Sequence, residues 1–318
     1  KLKLNKKNQI LEVASNDGYL LKNFKKIGYN CLGIEPTKNT ADYCKRKYKI
    51  PVIQKFLDYK LSKLLKKKYK SDLIIANNVL AHNPNINDFI KSMKNLLKDK
   101  GTITIEFPHF YNLFKYIQFD TIYHEHFYYF TLKNLKKIFQ KHDLKIWDVE
   151  KISTHGGSLR IYVSHSNNKE KKISHKVNNI IIMETKLGLF KEKKLNILKD
   201  KNYKIKNNTI KLIRKFKEKN KRIAIYGAAA KGNTFLNYIG LNNKEISAAF
   251  DLSKAKIGKY LPGSKIKVYS PFNNFIKNMD IIIILPWNIA KEIKIFLKRK
   301  IKKTCKLFIL IPKIKNIN

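Results

Sequence analysis

The sequence predicts an α/β protein built as a doubly wound sheet, a helical connection and a second, smaller doubly wound unit. Two observations carry that reading. Short apolar runs alternate with amphipathic stretches in the first half and again from Arg222 onward, the pattern of strands with helices packed on both faces. In each half the first strand also runs into a loop of small residues that opens a helix, Glu12 to Gly18 and Gly227 to Thr234.

Taken in order, strands are expected at Gln9–Val13, Tyr29–Ile34, Val52–Lys55, Leu73–Asn77 and Thr102–Phe107. Helical periods fill the gaps, among them Tyr19–Ile27 and Ile86–Leu97, the latter with Asn85 as its N-cap. Leu132–Gln140 reads as a helix, and Leu144–Glu150 with Ser158–Ser164 as a closing pair of strands, so the first domain is expected to span 1–165. Residues 166–220 carry apolar residues at helical spacing (Ile180, Ile181, Leu187, Leu195, Leu198, Ile210, Ile213) and read as linking helices. The second domain, 221–318, has expected strands at Ile223–Tyr226, Ile246–Phe250, Asp280–Leu285 and Leu307–Ile311.

Composition narrows the classes. With 318 residues, 43% of them hydrophobic, the chain can bury a core. No apolar run approaches the roughly 20 residues that span a bilayer, and the first residues lack the order of a signal peptide. A cytoplasmic protein with no membrane partner is expected, and it is read as a monomer. The three cysteines, Cys31, Cys44 and Cys305, form no paired motif, so neither a disulfide framework nor a metal site is expected. The formal charge of +45 suggests a nucleic-acid partner at first sight. Only five of the 68 basic residues are arginine, however, and lysine is spread everywhere. That pattern fits lysine on solvated helix faces better than a nucleic-acid footprint, and no nucleic-acid partner is expected.

Gln118 to His126 crowds Tyr123, His124, Glu125 and His126 into one short stretch with Asp120, a density that suggests proton transfer. His82, His109 and His155 sit at the ends of expected strands and can converge with it. His124 alternates with Tyr123 and Glu125, so it is read as pointing away. His109, after Pro108, serves structure or function equally well.

Glu12-Val-Ala-Ser-Asn-Asp-Gly18 occupies the strand-to-helix turn where open parallel sheets bind nucleotide-like ligands. It keeps only Gly18 of the dinucleotide pattern, with Ala14 where a glycine is usual. The leading acid Glu12 suits S-adenosylmethionine, which carries positive charge and no phosphate; an ordinary tight turn is the alternative. Glu35, at the end of the next strand, is placed to hydrogen-bond a ribose diol. Asn77 and Asn78 either cap a turn or hold the amino-acid end of that cofactor.

These strings together resemble the sugar C-methyltransferase family, S-adenosylmethionine-dependent enzymes that methylate a ring carbon of nucleotide-linked 4-keto-deoxysugars. The matching segments are Glu12–Gly18, Leu32-Gly-Ile-Glu-Pro36, Ala76-Asn-Asn-Val-Leu-Ala-His82, Glu106-Phe-Pro-His109, Gln118–His126 and Thr154-His-Gly-Gly-Ser-Leu-Arg160. Tyr226-Gly-Ala-Ala-Ala-Lys-Gly-Asn-Thr234, Tyr260-Leu-Pro-Gly263 and Leu285-Pro-Trp-Asn288 continue the match.

The resemblance implies a class I methyltransferase Rossmann-like sheet in the first domain and S-adenosylmethionine as cofactor. Glu12, Ala14, Ser15, Asn16, Gly18, Glu35, Asn77 and Asn78 would bind it. His126 would be the general base that removes the proton next to the ketone, with Tyr123 and Glu125 as neighbours and His82 hydrogen-bonding the enolate; no metal takes part. His155 and Arg160 would bind the keto sugar. In the second loop Asn233 stands where a P-loop has its lysine, so Gly227, Lys231 and Asn233 are read as a static anchor for the sugar-nucleotide phosphates, and Asp251 as a ribose acid or a turn cap.

Family members usually begin with a small zinc-binding domain that carries an active-site tyrosine, and this chain starts almost at the first strand. A catalytically incomplete S-adenosylmethionine-binding protein is therefore one competing expectation; a nucleic-acid methyltransferase, suggested by the charge, is the other, although Asn77-Asn-Val-Leu80 does not supply its usual Asn/Asp-Pro-Pro-aromatic motif.

Overall fold

The computed structural model describes residues 1–318, which fall into two compact units. The first comprises Lys1–Tyr111 and Glu125–Leu189, and the second Asn112–His124 and Phe190–Asn318. The segment Gln118–His126 therefore changes unit between His124 and Glu125.

In the first unit β1 (Gln9–Val13), α1 (Leu21–Ile27), β2 (Asn30–Ile34), α2 (Lys38–Tyr48), β3 (Val52–Ile53), α3 (Tyr59–Leu65), β4 (Ser71–Asn77), α4 (Ile86–Leu96) and β5 (Leu97–Pro108) alternate as the sequence pattern requires. After α5 (Phe110–Lys115) come α6 (Leu132–Gln140), β6 (Leu144–Ile152), β7 (Ser158–His165) and α7 (His175–Leu187). The seven strands lie in the order β3-β2-β1-β4-β5-β7-β6, with β7 antiparallel to both neighbours. This is the Rossmann-like sheet of class I methyltransferases, as expected.

Most expected elements lie within a residue or two of their places. The differences have local causes. Asp17 and Gly18, the latter at φ +81°, form a turn that delays α1 to Leu21. The strand expected at Val52–Lys55 pairs only with β2 and keeps two residues. That expected at Thr102–Phe107 lengthens at both ends, pairing with β4 from Leu97 and with β7 as far as Pro108. Asn85 caps α4 by accepting from the Asp88 amide at 3.2 Å.

The second unit begins with α8 (Glu192–Glu218) and continues through β8 (Ile223–Tyr226), α9 (Ala230–Ile239), β9 (Ala248–Phe250), β10 (Val268–Tyr269), β11 (Ile281–Ile284), α10 (Ala290–Lys298), β12 (Lys306–Ile309) and β13 (Lys315–Asn316). Its sheet runs β10-β9-β8-β11-β12-β13, parallel except for β13. The four isoleucines of β11 are all buried, as a central parallel strand covered on both faces requires. Phe119, from the short turn Phe119–Thr121, joins this unit's core against Phe235 and Tyr238, with ring centroids 5.8 and 4.9 Å away.

One buried carboxylate ties three parts of the first unit together. Glu184 on α7 accepts from the Leu132 and Lys133 amides at the start of α6, at 2.6 and 3.0 Å, and from His109 Nε2 at 2.7 Å. His109 is thereby absorbed into the framework. Glu184→Ala leaves these donors unmet in a site without solvent and is expected to lower stability by about 3 kcal/mol. Urea denaturation checks this, and a loss under about 1 kcal/mol would contradict it.

Candidate active site

The first unit's sheet changes winding direction between β1 and β4, and the carboxyl ends of these strands are where such sheets bind ligands. Glu12 and Val13 close β1 there, followed by a loop in which Ala14 and Asn16 take φ of 55° and 51°. Left-handed conformations in non-glycine residues are costly, and they cluster where a loop is shaped for a ligand. Glu35 braces this loop: its Oε2 accepts from the Asn16 amide and its Oε1 from the Thr37 amide, both at 2.9 Å. Gly33 is required beneath it, since a Cβ would stand 2.5 Å from Ser15 Oγ. Gly18 likewise has no room for a side chain, with Cys44 Sγ 2.3 Å from the position a Cβ would take.

Four buried polar atoms at these strand ends have no protein partner: Glu12 Oε2, Ser15 Oγ, Asn77 Oδ1 and Asn78 Oδ1. Buried polar groups are ordinarily paired; the two asparagine oxygens can only accept, as can the Glu12 carboxyl once ionised. They fit a ligand bearing positive charge and N–H donors, as the sulfonium and amino group of S-adenosylmethionine do. Burial, aided by the charges of Asp17 and Glu35, pushes the Glu12 carboxyl up to about 8. The charges of Glu12 and Glu106 both reach the Tyr19 phenol and, after burial, raise its pKa.

Parallel pairing places Asn77 of β4 opposite Glu106 of β5, and antiparallel pairing places Glu106 opposite Arg160 of β7. Glu106 Oε2 accepts from Arg160 Nη2 at 2.9 Å, and Oε1 from Thr154 Oγ1 at 2.7 Å. Arg160 is thus an ion-paired group, while neighbouring His155 is exposed at φ 54°. Glu106 lies outside the expected site residues; its sequence signal is an acid at a strand end, in Glu106-Phe-Pro-His109.

His82 and His126 are brought together. His82 ends the short turn Leu80–His82 after β4, and the chain from Glu125 onward is fastened to that turn. The Phe127 amide donates to the Ala81 carbonyl at 2.9 Å, Tyr128 Oη donates to the Pro84 carbonyl at 2.7 Å, and the Phe110 amide donates to the Phe130 carbonyl at 2.9 Å. The imidazole rings meet edge to face with centroids 4.8 Å apart, and the Tyr129 ring centroid lies 5.8 Å from that of His126. Both histidines are half-buried. Glu125 and His124 are exposed, and Tyr123, half-buried, belongs to the second unit.

In the second unit, Asp251 Oδ2 accepts from the Ala228 amide at 2.6 Å and Oδ1 from the Ser253 amide at 2.8 Å, so it braces the second glycine loop as Glu35 braces the first. Gly227, at φ +99°, lies where a Cβ would be 2.5 Å from Pro286. Lys231 donates to Asn288 Oδ1 and lies 4.7 Å from the centre of the Trp287 ring. Burial lowers its pKa, against the raising charge of Asp120. Burial raises the Asp120 carboxyl to about 6, opposed by its hydrogen bond from Trp287 and by Lys231.

The strand order is that of a class I methyltransferase, and the open acceptors beside the acid-led loop suit S-adenosylmethionine. Residues 1–149 match the methyltransferase domain family, and residues 153–312 match the C-methyltransferase C-terminal domain family. The chain belongs to the C-methyltransferase family and is an S-adenosylmethionine-dependent enzyme. It is 28% identical over 284 residues to C-methyltransferase NovU of Streptomyces niveus, covering 89% of this chain and 67% of that protein. Among solved structures it is similar to an S-adenosylmethionine-dependent methyltransferase of Anabaena variabilis (12% identity, 52% of this chain, 79% of that one, TM-score 0.43). It is similar too to 1,6-didemethyltoxoflavin-N1-methyltransferase of Burkholderia thailandensis (13% identity, 51% and 72%, TM-score 0.40). No helix is long and apolar enough to cross a membrane.

The Glu12 assignment has a pH signature. A free carboxyl ionises near 4.5 whereas folded Glu12 holds its proton to about 8, so the unfolded chain releases its proton first and this group's contribution to stability falls as pH rises across that window. Glu12→Gln is expected to gain stability relative to wild type between pH 4.5 and 8, as read from denaturant midpoints. Parallel profiles for the two proteins would contradict the assignment.

Proposed function

We propose that the enzyme C-methylates a nucleotide-linked 4-keto-deoxysugar, with His126 as the base. The observation that carries this reading is the His82–His126 contact at 4.8 Å, formed by the turn that follows the unpartnered Asn77 and Asn78. A carbon atom becomes a nucleophile when a base takes a proton from beside a ketone and a donor holds the resulting enolate oxygen. Two adjacent imidazoles supply both functions, since imidazole titrates near neutrality, with an ordinary pKa of about 6.5.

In the proposed reaction a ring nitrogen of His126 takes the proton next to the ketone, and the C–H electron pair moves into the carbonyl to give an enolate. A ring N–H of His82 donates to the enolate oxygen. When bound, S-adenosylmethionine would supply an electrophilic methyl group on a sulfonium sulfur: the enolate carbon would form a bond to it as the carbon–sulfur bond breaks, re-forming the ketone and giving the neutral thioether S-adenosylhomocysteine. Glu12, Asn77 and Asn78 would hold its charged amino-acid end, and the loop Ala14–Asn16 with Gly18 its nucleoside. Glu35 fixes that loop and retains lone pairs for a ribose hydroxyl. His126 then passes its proton to solvent.

The other assignments follow the same reading. Tyr123 and Glu125 flank the base in sequence and are proposed to tune it. Arg160, held by Glu106, and His155 are proposed to contact the keto sugar in the first unit; Gly227, Lys231 and Asn233 of the second unit are proposed to bind nucleotide phosphates.

His126→Ala is expected to slow methyl transfer to a nucleotide-linked 4-keto sugar by about 10²–10⁴-fold, with S-adenosylhomocysteine affinity unchanged. Single-turnover kinetics and calorimetric titration check the two halves. Wild-type turnover in the variant would sink the assignment.

A further inference from the structure

The second unit has a cavity of about 630 Å³ at the edge of its sheet away from the glycine loop, where β8, β11 and β12 begin. Lys215, Lys219, Lys221 and Lys306 line it together with Phe216 and Ile281. Phe216 is half-buried and packs on Phe308 with ring centroids 5.5 Å apart, so the apolar side of the cavity belongs to the fixed core. The lysines come from separate elements. Lys215 and Lys219 stand four residues apart near the end of α8 and share one face of it. Asn220 takes φ of 52°, and this turn returns the chain to the helix end: its amide donates to the Lys217 carbonyl at 2.8 Å, and the Lys221 amide to the Phe216 carbonyl at 3.0 Å. Lys306 opens β12, its amide donating to the Asp280 carbonyl at 2.8 Å.

Lysine is spread over the whole chain, so charge alone selects nothing. These four are set apart by converging on one cavity and by having no carboxylate partner. The acid beside them is already engaged: Asp280 Oδ1 accepts from Lys302 Nζ and Oδ2 from the Arg222 amide, both at 2.8 Å. The Phe216 and Lys217 carbonyls at the end of α8 are met by backbone amides, so no ammonium group is needed to cap them. Uncompensated positive charges around one opening favour an anion of matching charge. A phosphate monoester carries about −1.5 to −2 near neutral pH, so two such groups balance the four lysines. The volume is that of a small-molecule site. It leaves room for a carbon frame between the phosphates, which the Phe216 side suits.

We propose that this cavity binds a small bisphosphorylated molecule, two phosphate groups on a sugar-sized carbon frame, held by Lys215, Lys219, Lys221 and Lys306 against Phe216. The site lies wholly within the second unit, at the opposite edge of its sheet from the glycine loop. It stands whether or not the reaction proposed above is correct.

Calorimetric titration of the full chain tests it in about 0.15 M salt, where distant charges are screened, with fructose 1,6-bisphosphate, fructose 6-phosphate and citrate as probes. Wild type is expected to take up a single bisphosphate per chain, about tenfold or more tightly than either of the other two, because each further charge–charge contact adds to affinity. Lys219→Gln combined with Lys306→Gln is expected to weaken that binding about tenfold or more. Lys60→Gln combined with Lys67→Gln removes the same charge from exposed positions of the first unit and is expected to leave it unchanged. Citrate bound as tightly as the bisphosphate overturns the proposal, and so does equal weakening in the two double variants, since either result means attraction to the general charge of the chain. Absence of saturable bisphosphate binding to wild type overturns it as well.

Discussion

The register of the first unit's sheet is the constraint on which its site depends. Once β4 pairs with β1 through Ile75 opposite Glu12, and with β5 through Asn77 opposite Glu106, the polar residues at the strand ends are delivered to one edge. The strand bodies beneath are apolar and buried, and a slip of one residue between β4 and β5 would take Asn77 off Glu106 and displace the polar strand ends from one another. The same register extends through β7, where Arg160 meets Glu106. Packing in the core and placement of the site are thus one decision, and the turn that carries His82 inherits its position from it.

The two units solve one problem twice. Each has a strand running into a small-residue loop, and each loop is held by an acid at the end of the next strand, Glu35 in the first and Asp251 in the second. What differs is the atoms left open. The first loop sits beside the unpartnered acceptors Glu12, Asn77 and Asn78, suited to a cation. The second unit brings in Asp120 from a separate turn, with Lys231 close enough for each to feel the other's charge. Loop shape alone therefore does not define a ligand; the count of satisfied and unsatisfied groups around it does.

Much of this architecture is legible in the sequence because a buried parallel strand has a strong local signature. Gln9–Val13 and Ile223–Tyr226 fall at their expected residues, as does the amphipathic helix Leu132–Gln140. Short edge strands such as β3 and β13 are defined by their neighbour more than by their own residues, and carry little signal. The candidate site was legible as a set of residue types, and the pairing of His82 with His126 could be anticipated from strand ends. The role of His109 could not: its partner Glu184 is 75 residues away, and only tertiary packing joins them. The burial of Asp120 leaves no sequence signal either, since its partner Trp287 is 167 residues distant. Nor does the string itself reveal that His124 and Glu125 fall in different units, a division set by how Phe119 packs.

The central claim is that His126 generates a carbon nucleophile, and proton exchange isolates that step from methyl transfer. The direct measurement is deuterium incorporation at the carbon beside the ketone of a nucleotide-linked 4-keto sugar, followed by NMR in D₂O with S-adenosylhomocysteine bound. The account predicts enzyme-dependent exchange that is lost in His126→Ala. Exchange at the wild-type rate in that variant would contradict it.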